Sequence, residues 1–277
     1  MEPAVYTAGQ IDSMAKFFRA NGYAVLRGLF DDGELDALQA ECAGLQEALI
    51  RGELPAECGS VTLADDRVTS PIAHYVCNLT AVSPLAKAAV LHPVLKVAMD
   101  QVLGPVRYLV EDERFGVVYQ DARPGKDSAY TRIGWHADWQ SGPQLDCWPS
   151  VAFTVHLDET SPANGFLRVV PGSHWWATPA PAADVFGRPG PVGPEVERGY
   201  STVPPPFPMP LGFEKVPGEA AVYCDRGDVI LHDAYLWHSA ARATDDHTVR
   251  RHLRGGFYSS DRMAGRGMGD FVKNARR

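Results

Sequence analysis

Gly134-Trp135-His136-Ala137-Asp138 sets an imidazole and a carboxylate two residues apart. On extended backbone, side chains two apart share a face, so both can reach one ion. A third donor must come from elsewhere, and the stretch Gly227 to His238 offers two histidines, His232 and His238. Two imidazoles and one carboxylate on one face of an octahedral iron leave three positions, enough for a bidentate 2-oxo acid and dioxygen. The same donors with a water in the open position would also suit zinc in an isomerase or hydrolase. Alone, a His-x-Asp triplet is common and usually marks a surface turn, so the surrounding pattern has to carry the argument.

A 2-oxo acid held through its ketone and one carboxylate leaves a far carboxylate that needs a permanent cation. Arginine meets that need, because its planar fork pairs with a carboxylate through two hydrogen bonds and stays charged. Thr248-Val249-Arg250-Arg251-His252-Leu253-Arg254 supplies three candidates, Arg250, Arg251 and Arg254. Trp135, Trp139, Trp148, Trp175, Trp176 and Trp237 crowd the same part of the sequence. Trp139 could line a pocket for a flat or apolar substrate, while core packing accounts for most of the others. His74, His92, His156, His174, His247 and His252 read as core, turn or surface residues.

The elements that must position these groups change character near residue 105. Before it, a helix around Phe17-Phe18, a strand at Gly22 to Leu26 and a helix from Asp31 to Ile50 are expected, then a helix from Pro84 to about Val102, stopped by Gly104-Pro105. In the second helix Leu35, Leu38, Cys42, Leu45 and Leu49 recur at three- and four-residue steps, which gives one apolar face to cover a sheet. Asp31 and Asp32 can cap its free amides. From Val106 onward, short runs rich in valine, tyrosine and phenylalanine alternate with Gly, Pro and Asp clusters: 107–110, 114–119, 151–157, 166–170, 220–223, 229–231 and 253–258. Many short strands in succession imply a closed or double-sheet antiparallel architecture with helices packed outside. The Pro- and Gly-dense stretch 179–210 reads as a lid loop over a substrate or as a tolerated surface insertion.

The 277 residues, 45% hydrophobic, can bury a large core and form a single catalytic domain, 1–277. A formal net charge of −8 argues against a surface built to neutralise phosphates or to lie on anionic lipid, so neither nucleic acid nor membrane is expected as a partner. The five cysteines are scattered without a CxxC pair, which points to neither a disulfide framework nor a zinc cluster and suits a reducing cytoplasm. No run of about 18 apolar residues and no export-type leader is read. A small-molecule substrate and a monomer or homodimer are expected.

In its ordered motifs the chain resembles the phytanoyl-CoA dioxygenase family of 2-oxoglutarate oxygenases. Gly22-Tyr23-Ala24-Val25-Leu26-Arg27-Gly28-Leu29-Phe30 resembles the family's N-terminal segment, and Trp135-His136-Ala137-Asp138 its metal triplet. Leu157-Asp158, Asn164-Gly165 and Pro171-Gly172-Ser173-His174 match its middle signature, and Gly227-Asp228 with His238 its distal-histidine region. The resemblance implies a mainly β fold with flanking helices, a double-stranded β-helix (cupin-like jelly roll), with an N-terminal cover over about 1–105 and the core over about 106–262. It implies Fe(II), 2-oxoglutarate as co-substrate and O2, with decarboxylation to succinate and CO2 coupled to oxidation, by default hydroxylation, of a second substrate. Desaturation, cyclisation or epimerisation would need only another fate for the same radical. His136, Asp138 and His238 would be the ligands, because the family's distal histidine sits in a His-Ser or His-Gly setting, as His238-Ser239 does. Arg250 would anchor 2-oxoglutarate, three residues before Leu253 and seven before Phe257. It lies twelve residues after His238, one more than the commonest family interval, which keeps Arg251 and Arg254 open. Thr154 stands where relatives place a residue touching the co-substrate, and Gln120 is a weaker candidate of the same kind.

Overall fold

A computed structural model of the chain describes residues 4–58, 75–76, 78–104, 117–121, 134–141, 150–177, 203–210, 212–241, 243–244 and 249–258. Along the chain the elements are β1 (Val5–Thr7), α1 (Ile11–Asn21), β2 (Tyr23–Arg27), α2 (Asp32–Ile50), β3 (Tyr75–Val76), α3 (Leu79–Val82), α4 (Pro84–Val90) and α5 (Pro93–Leu103), then β4 (Val117–Asp121), β5 (Ser150–His156), β6 (Leu167–Val169), β7 (Ala220–Val222), β8 (Val229–Asp233), β9 (His238–Ala240) and β10 (Val249–Tyr258).

Helix boundaries follow local chemistry. The α2 helix opens on a reciprocal cap: Asp31 Oδ1 accepts from the Glu34 amide at 2.8 Å, and Glu34 Oε2 accepts from the Asp31 amide at 2.9 Å. The single helix expected from Pro84 to Val102 is instead two, α4 and α5, broken at Leu91-His92. Pro93 explains the correction: it lacks an N–H and drives the preceding residue out of helical backbone, so it starts a new helix at its first position. Gly22 ends α1 with φ of 80°, its amide donating to the Phe18 carbonyl. A β-carbon there would lie 2.6 Å from His174 Nδ1, so the turn into β2 has room only for glycine.

Among the described residues the strands form a seven-stranded sheet, β1-β2-β8-β5-β10-β4-β3, and a three-stranded sheet, β7-β6-β9. Among the described strands only β1 with β2 pairs in parallel; the other pairings are antiparallel. Of the expected strands, 107–110 and the first half of 114–119 lie outside the described residues, and so do residues 179–202 of the expected lid 179–210.

Alternation along the large sheet separates two interiors. Ala24 and Leu26, Val151, Phe153 and Val155, Val229 and Leu231, and Leu253 and Phe257 face outward into one cluster with Met14, Phe18, Leu35, Leu38, Leu95 and Met99 of the helices. Tyr23, Val25 and Ile230 face the other way, onto Val169, Val222 and Leu236 of the small-sheet side. The two sheets therefore face each other as a jelly roll, with the helices layered on the outside of the larger one. No described helix is long and apolar enough to cross a membrane.

His174 ties the small sheet to α1: its imidazole is buried, and Nε2 lies 3.1 Å from the Arg19 carbonyl. Burial pushes this imidazole from 6.5 down to about 4, against the smaller opposing effect of the Arg19 carbonyl. The unfolded chain therefore takes up the proton first as pH falls, and stability present above about pH 6.5 is lost towards pH 4. Urea denaturation at about pH 5 should show about 2 kcal/mol less stability from this residue than at about pH 7.5. In His174→Asn that part of the pH dependence should vanish.

Candidate metal centre

Residues 134–138 and the start of β9 come together through backbone. His136 and His238 form an isolated antiparallel bridge, with the His136 amide donating to the His238 carbonyl at 3.0 Å and the His238 amide donating back at 2.9 Å. On its other edge β9 pairs with β6, Val169 opposite His238. Further bonds hold both stretches. The Trp139 amide donates to the Ala234 carbonyl at 3.0 Å, and the Trp237 amide to Ser173 Oγ at 2.9 Å. The Pro171-Gly172-Ser173-His174 turn thus fixes the backbone one residue before His238.

The side chains converge accordingly. One potential donor atom from each of His136, Asp138 and His238 falls within 4.8 Å of the others. Asp138 Oδ1 is 3.7 Å from His136 Nε2 and 3.6 Å from His238 Nε2. Each imidazole uses its other nitrogen on a backbone carbonyl two residues earlier: His136 Nδ1 donates to Gly134 at 2.9 Å and His238 Nδ1 to Leu236 at 2.9 Å. That bond fixes the tautomer with a lone pair on Nε2, the form a metal requires.

His232 takes a different place. It is buried on β8, and its Nε2 lies 3.1 Å from Asp138 Oδ2, the oxygen turned away from the other two imidazoles. Arg254 Nη2 lies 3.2 Å from each oxygen of the same carboxylate. Burial raises the Asp138 carboxyl, but the Arg254 guanidinium, with His238 and His232, outweighs it and holds the group well below the ordinary carboxylate range. Burial lowers both His136 and His238, against the pull of Asp138. The cluster is therefore two neutral imidazoles and one carboxylate, the protonation state a divalent cation needs.

The three candidate arginines separate by strand alternation. Arg251 faces outward, and its Nε and Nη2 donate to Asp158 at 2.7 and 2.9 Å. Arg250 and Arg254 face inward. Arg250 is 3% exposed, opposite Gln120 in register, and its Nη1 lies 3.4 Å from where a β-carbon of Gly165 would stand. That same β-carbon would lie 2.6 Å from the Ala241 carbonyl, which requires glycine after Asn164. Thr154 is buried on β5, directly opposite Arg254 on one side and Ile230 on the other.

Trp139 is fully buried, its ring 5.9 Å from that of Tyr235, and packs beside the cluster. Trp135 donates from Nε1 to the Glu214 carbonyl at 2.8 Å, with the Arg168 guanidinium 4.8 Å above its ring. Trp148 lies outside the described residues. Sequence reading gave Ser173 no role beyond its turn, and took His156 and His252 as core, turn or surface residues. The last two carried a signal: they alternate with Thr154 and with Arg250 and Arg254 at two-residue spacing on their strands.

By architecture the chain is a cupin-like double-stranded β-helix with a His-Asp-His cluster between its sheets. It belongs to the phytanoyl-CoA dioxygenase (PhyH) family, whose model matches residues 18–252. Among curated proteins it is similar to the ectoine dioxygenase of Bordetella parapertussis, 27% identical over an alignment of 186 positions that covers 62% of this chain and 54% of that protein. The chain thus spans about half the length of the curated relatives it matches. Among solved structures it resembles the carbocyclase SnoK from nogalamycin biosynthesis, with a TM-score of 0.62, 20% identity and coverage of 93% of this chain and 87% of that one. It also resembles the epimerase SnoN, solved in complex with Fe3+, alpha ketoglutarate and nogalamycin RO, with a TM-score of 0.57, 21% identity and coverage of 90% and 84%.

Proposed function

We propose that the chain is a mononuclear non-haem iron(II) oxygenase that consumes 2-oxoglutarate and O2 and hydroxylates an aliphatic carbon of a small metabolite. One observation carries the reading: His136, Asp138 and His238 offer their donor atoms within 4.8 Å of one another, with both imidazoles already set to present Nε2. Two neutral nitrogens and one carboxylate oxygen fit iron(II) and leave three positions open. When bound, iron with 2-oxoglutarate supplies an oxidative decarboxylation strong enough to break an aliphatic C–H bond.

The protein's own groups then have distinct tasks. The Gly134 and Leu236 carbonyls hold the two imidazoles in orientation, and the His232 and Arg254 contacts fix the rotation of the Asp138 carboxylate so that Oδ1 faces the imidazoles. Ligating carboxylates are usually held in this way, and the holding group tunes affinity. Arg250, inward-facing and buried, accepts the far carboxylate of 2-oxoglutarate. Arg251 is committed to Asp158 on the outer face, and Arg254 to Asp138. Thr154, beside Arg254, lines the wall of the co-substrate site. A small metabolite as second substrate agrees with the naming of the curated relatives as ectoine dioxygenases.

Asp138→Ala should lose manganese(II) binding by calorimetry and give no succinate with iron(II), 2-oxoglutarate and O2; succinate at the unsubstituted rate would refute the reading. His232→Leu should keep the ligands and lower metal affinity about 10- to 100-fold, read by the same titration. Arg250→Met should leave metal affinity intact and weaken 2-oxoglutarate about tenfold or more, the loss of a charge-assisted pair. Mass analysis of products from candidate metabolites should show one added oxygen.

A further inference from the structure

The inner face of the large sheet carries two imidazoles that the site described so far does not use. His156 on β5 and His252 on β10 are directly opposite in register, with ring centroids 6.1 Å apart. They are 5% and 8% exposed, and among the described residues the Nδ1 of each has no hydrogen-bond partner. Their chain neighbours Val155, Leu157 and Leu253 face the helix-covered core, so by alternation both imidazoles face the space between the sheets.

Their level along the strands is defined. On β10 the inward positions run Arg250, His252, Arg254, and Arg254 reaches Asp138. On β5 Thr154 pairs with Arg254 and His156 with His252. The histidine pair therefore forms the step between the His-Asp-His cluster and Arg250. A buried polar nitrogen without a partner is unfavourable, and a ligand that supplies the missing partner removes that cost. Burial lowers the imidazole of His156 to about 4 and that of His252 well below 6.5, with Arg250 adding to the latter. A neutral imidazole carries one N–H to donate.

We propose that His156 and His252 bind the co-substrate directly, each donating Nδ1–H to the far carboxylate of the 2-oxo acid whose charge Arg250 balances. This rests on the oxygenase reading above and deepens it: the site would select a dicarboxylic 2-oxo acid through two neutral donors and one cation. A carboxylate can accept about four hydrogen bonds, so it can take an arginine and both imidazoles at once.

The test is a calorimetric titration of manganese(II)-loaded protein with 2-oxoglutarate and, separately, with 2-oxobutyrate, which lacks the far carboxylate. His156→Phe and His252→Phe should each weaken 2-oxoglutarate about tenfold or more. They should leave manganese(II) affinity unchanged and shift 2-oxobutyrate less than about twofold, and His252→Asn, which keeps an N–H near the same place, should recover most of the loss. Equal losses for both acids, or unchanged 2-oxoglutarate affinity in the double phenylalanine variant, would overturn the proposal. If the variants do not fold, histidine-labelled zinc(II)-loaded protein carries the test by nitrogen NMR. The Nδ1–H signals of both residues should shift with 2-oxoglutarate and not with 2-oxobutyrate, and signals that ignore both acids would overturn it. A protein that binds manganese(II) yet no 2-oxoglutarate would instead remove the oxygenase reading; one that binds both, with histidine variants indistinguishable from it, removes only this inference.

Discussion

Two reciprocal backbone hydrogen bonds, between His136 and His238, hold the centre together. The residues are a hundred positions apart in sequence, and neither belongs to a long element: one lies in an extended stretch, the other opens a three-residue strand. The bridge gives the two imidazoles a common frame, since the carbonyl that accepts from each ring belongs to its own stretch. The bridge also sets the distance to Asp138, which shares a segment with His136 and reaches His238 only because the two backbones are paired. Much of the surrounding bonding serves this clamp, including Ser173 on the Trp237 amide and the Ala234 carbonyl on Trp139.

The clamp gathers groups that would not assemble for stability alone. A buried carboxylate loses several kcal/mol of hydration, and buried imidazoles lose their charged forms. Arg254 and His232 offset part of this on Asp138, yet the two imidazole lone pairs still converge on an anionic oxygen. Such an arrangement is mutually repulsive until a cation lies between the three. That unfavourable interaction is the physical basis for reading the cluster as a metal centre, and it separates these residues from the many histidines that sit satisfied in a core.

Much of this was legible in the sequence, and the exceptions have physical reasons. The His-x-Asp spacing, the glycine turns, the α2 stripe and its Asp31 cap are local signals, and local chemistry dictates them. The break at Pro93 was equally local and was overridden by an apolar pattern that runs through it. β9 was not recognisable, because three residues carry no periodicity. Arg251 could not be separated from Arg250 until its partner Asp158 was placed, and that contact spans the fold. His156 and His252 looked like core histidines because a single imidazole on a strand says nothing; only their cross-strand register makes them a pair.

The large sheet resolves the conflict between packing and chemistry by dividing them between its faces. Its outer face carries the aliphatic and aromatic residues that pack on α1, α2 and α5, so most of the apolar burial occurs away from the site. Its inner face is apolar where Tyr23, Val25 and Ile230 meet the small sheet. That face also holds His232, Thr154, His156, Arg250, His252 and Arg254, polar groups whose burial is unfavourable unless they are paired. Since side chains alternate strictly along a strand, a one-residue slip of β10 would turn Arg251 and Leu253 inward and bury Arg250 and Arg254 against the helices. The Leu253 and Phe257 contacts with the outer core thus fix the register that aims the arginines, and packing on one face positions the chemistry on the other.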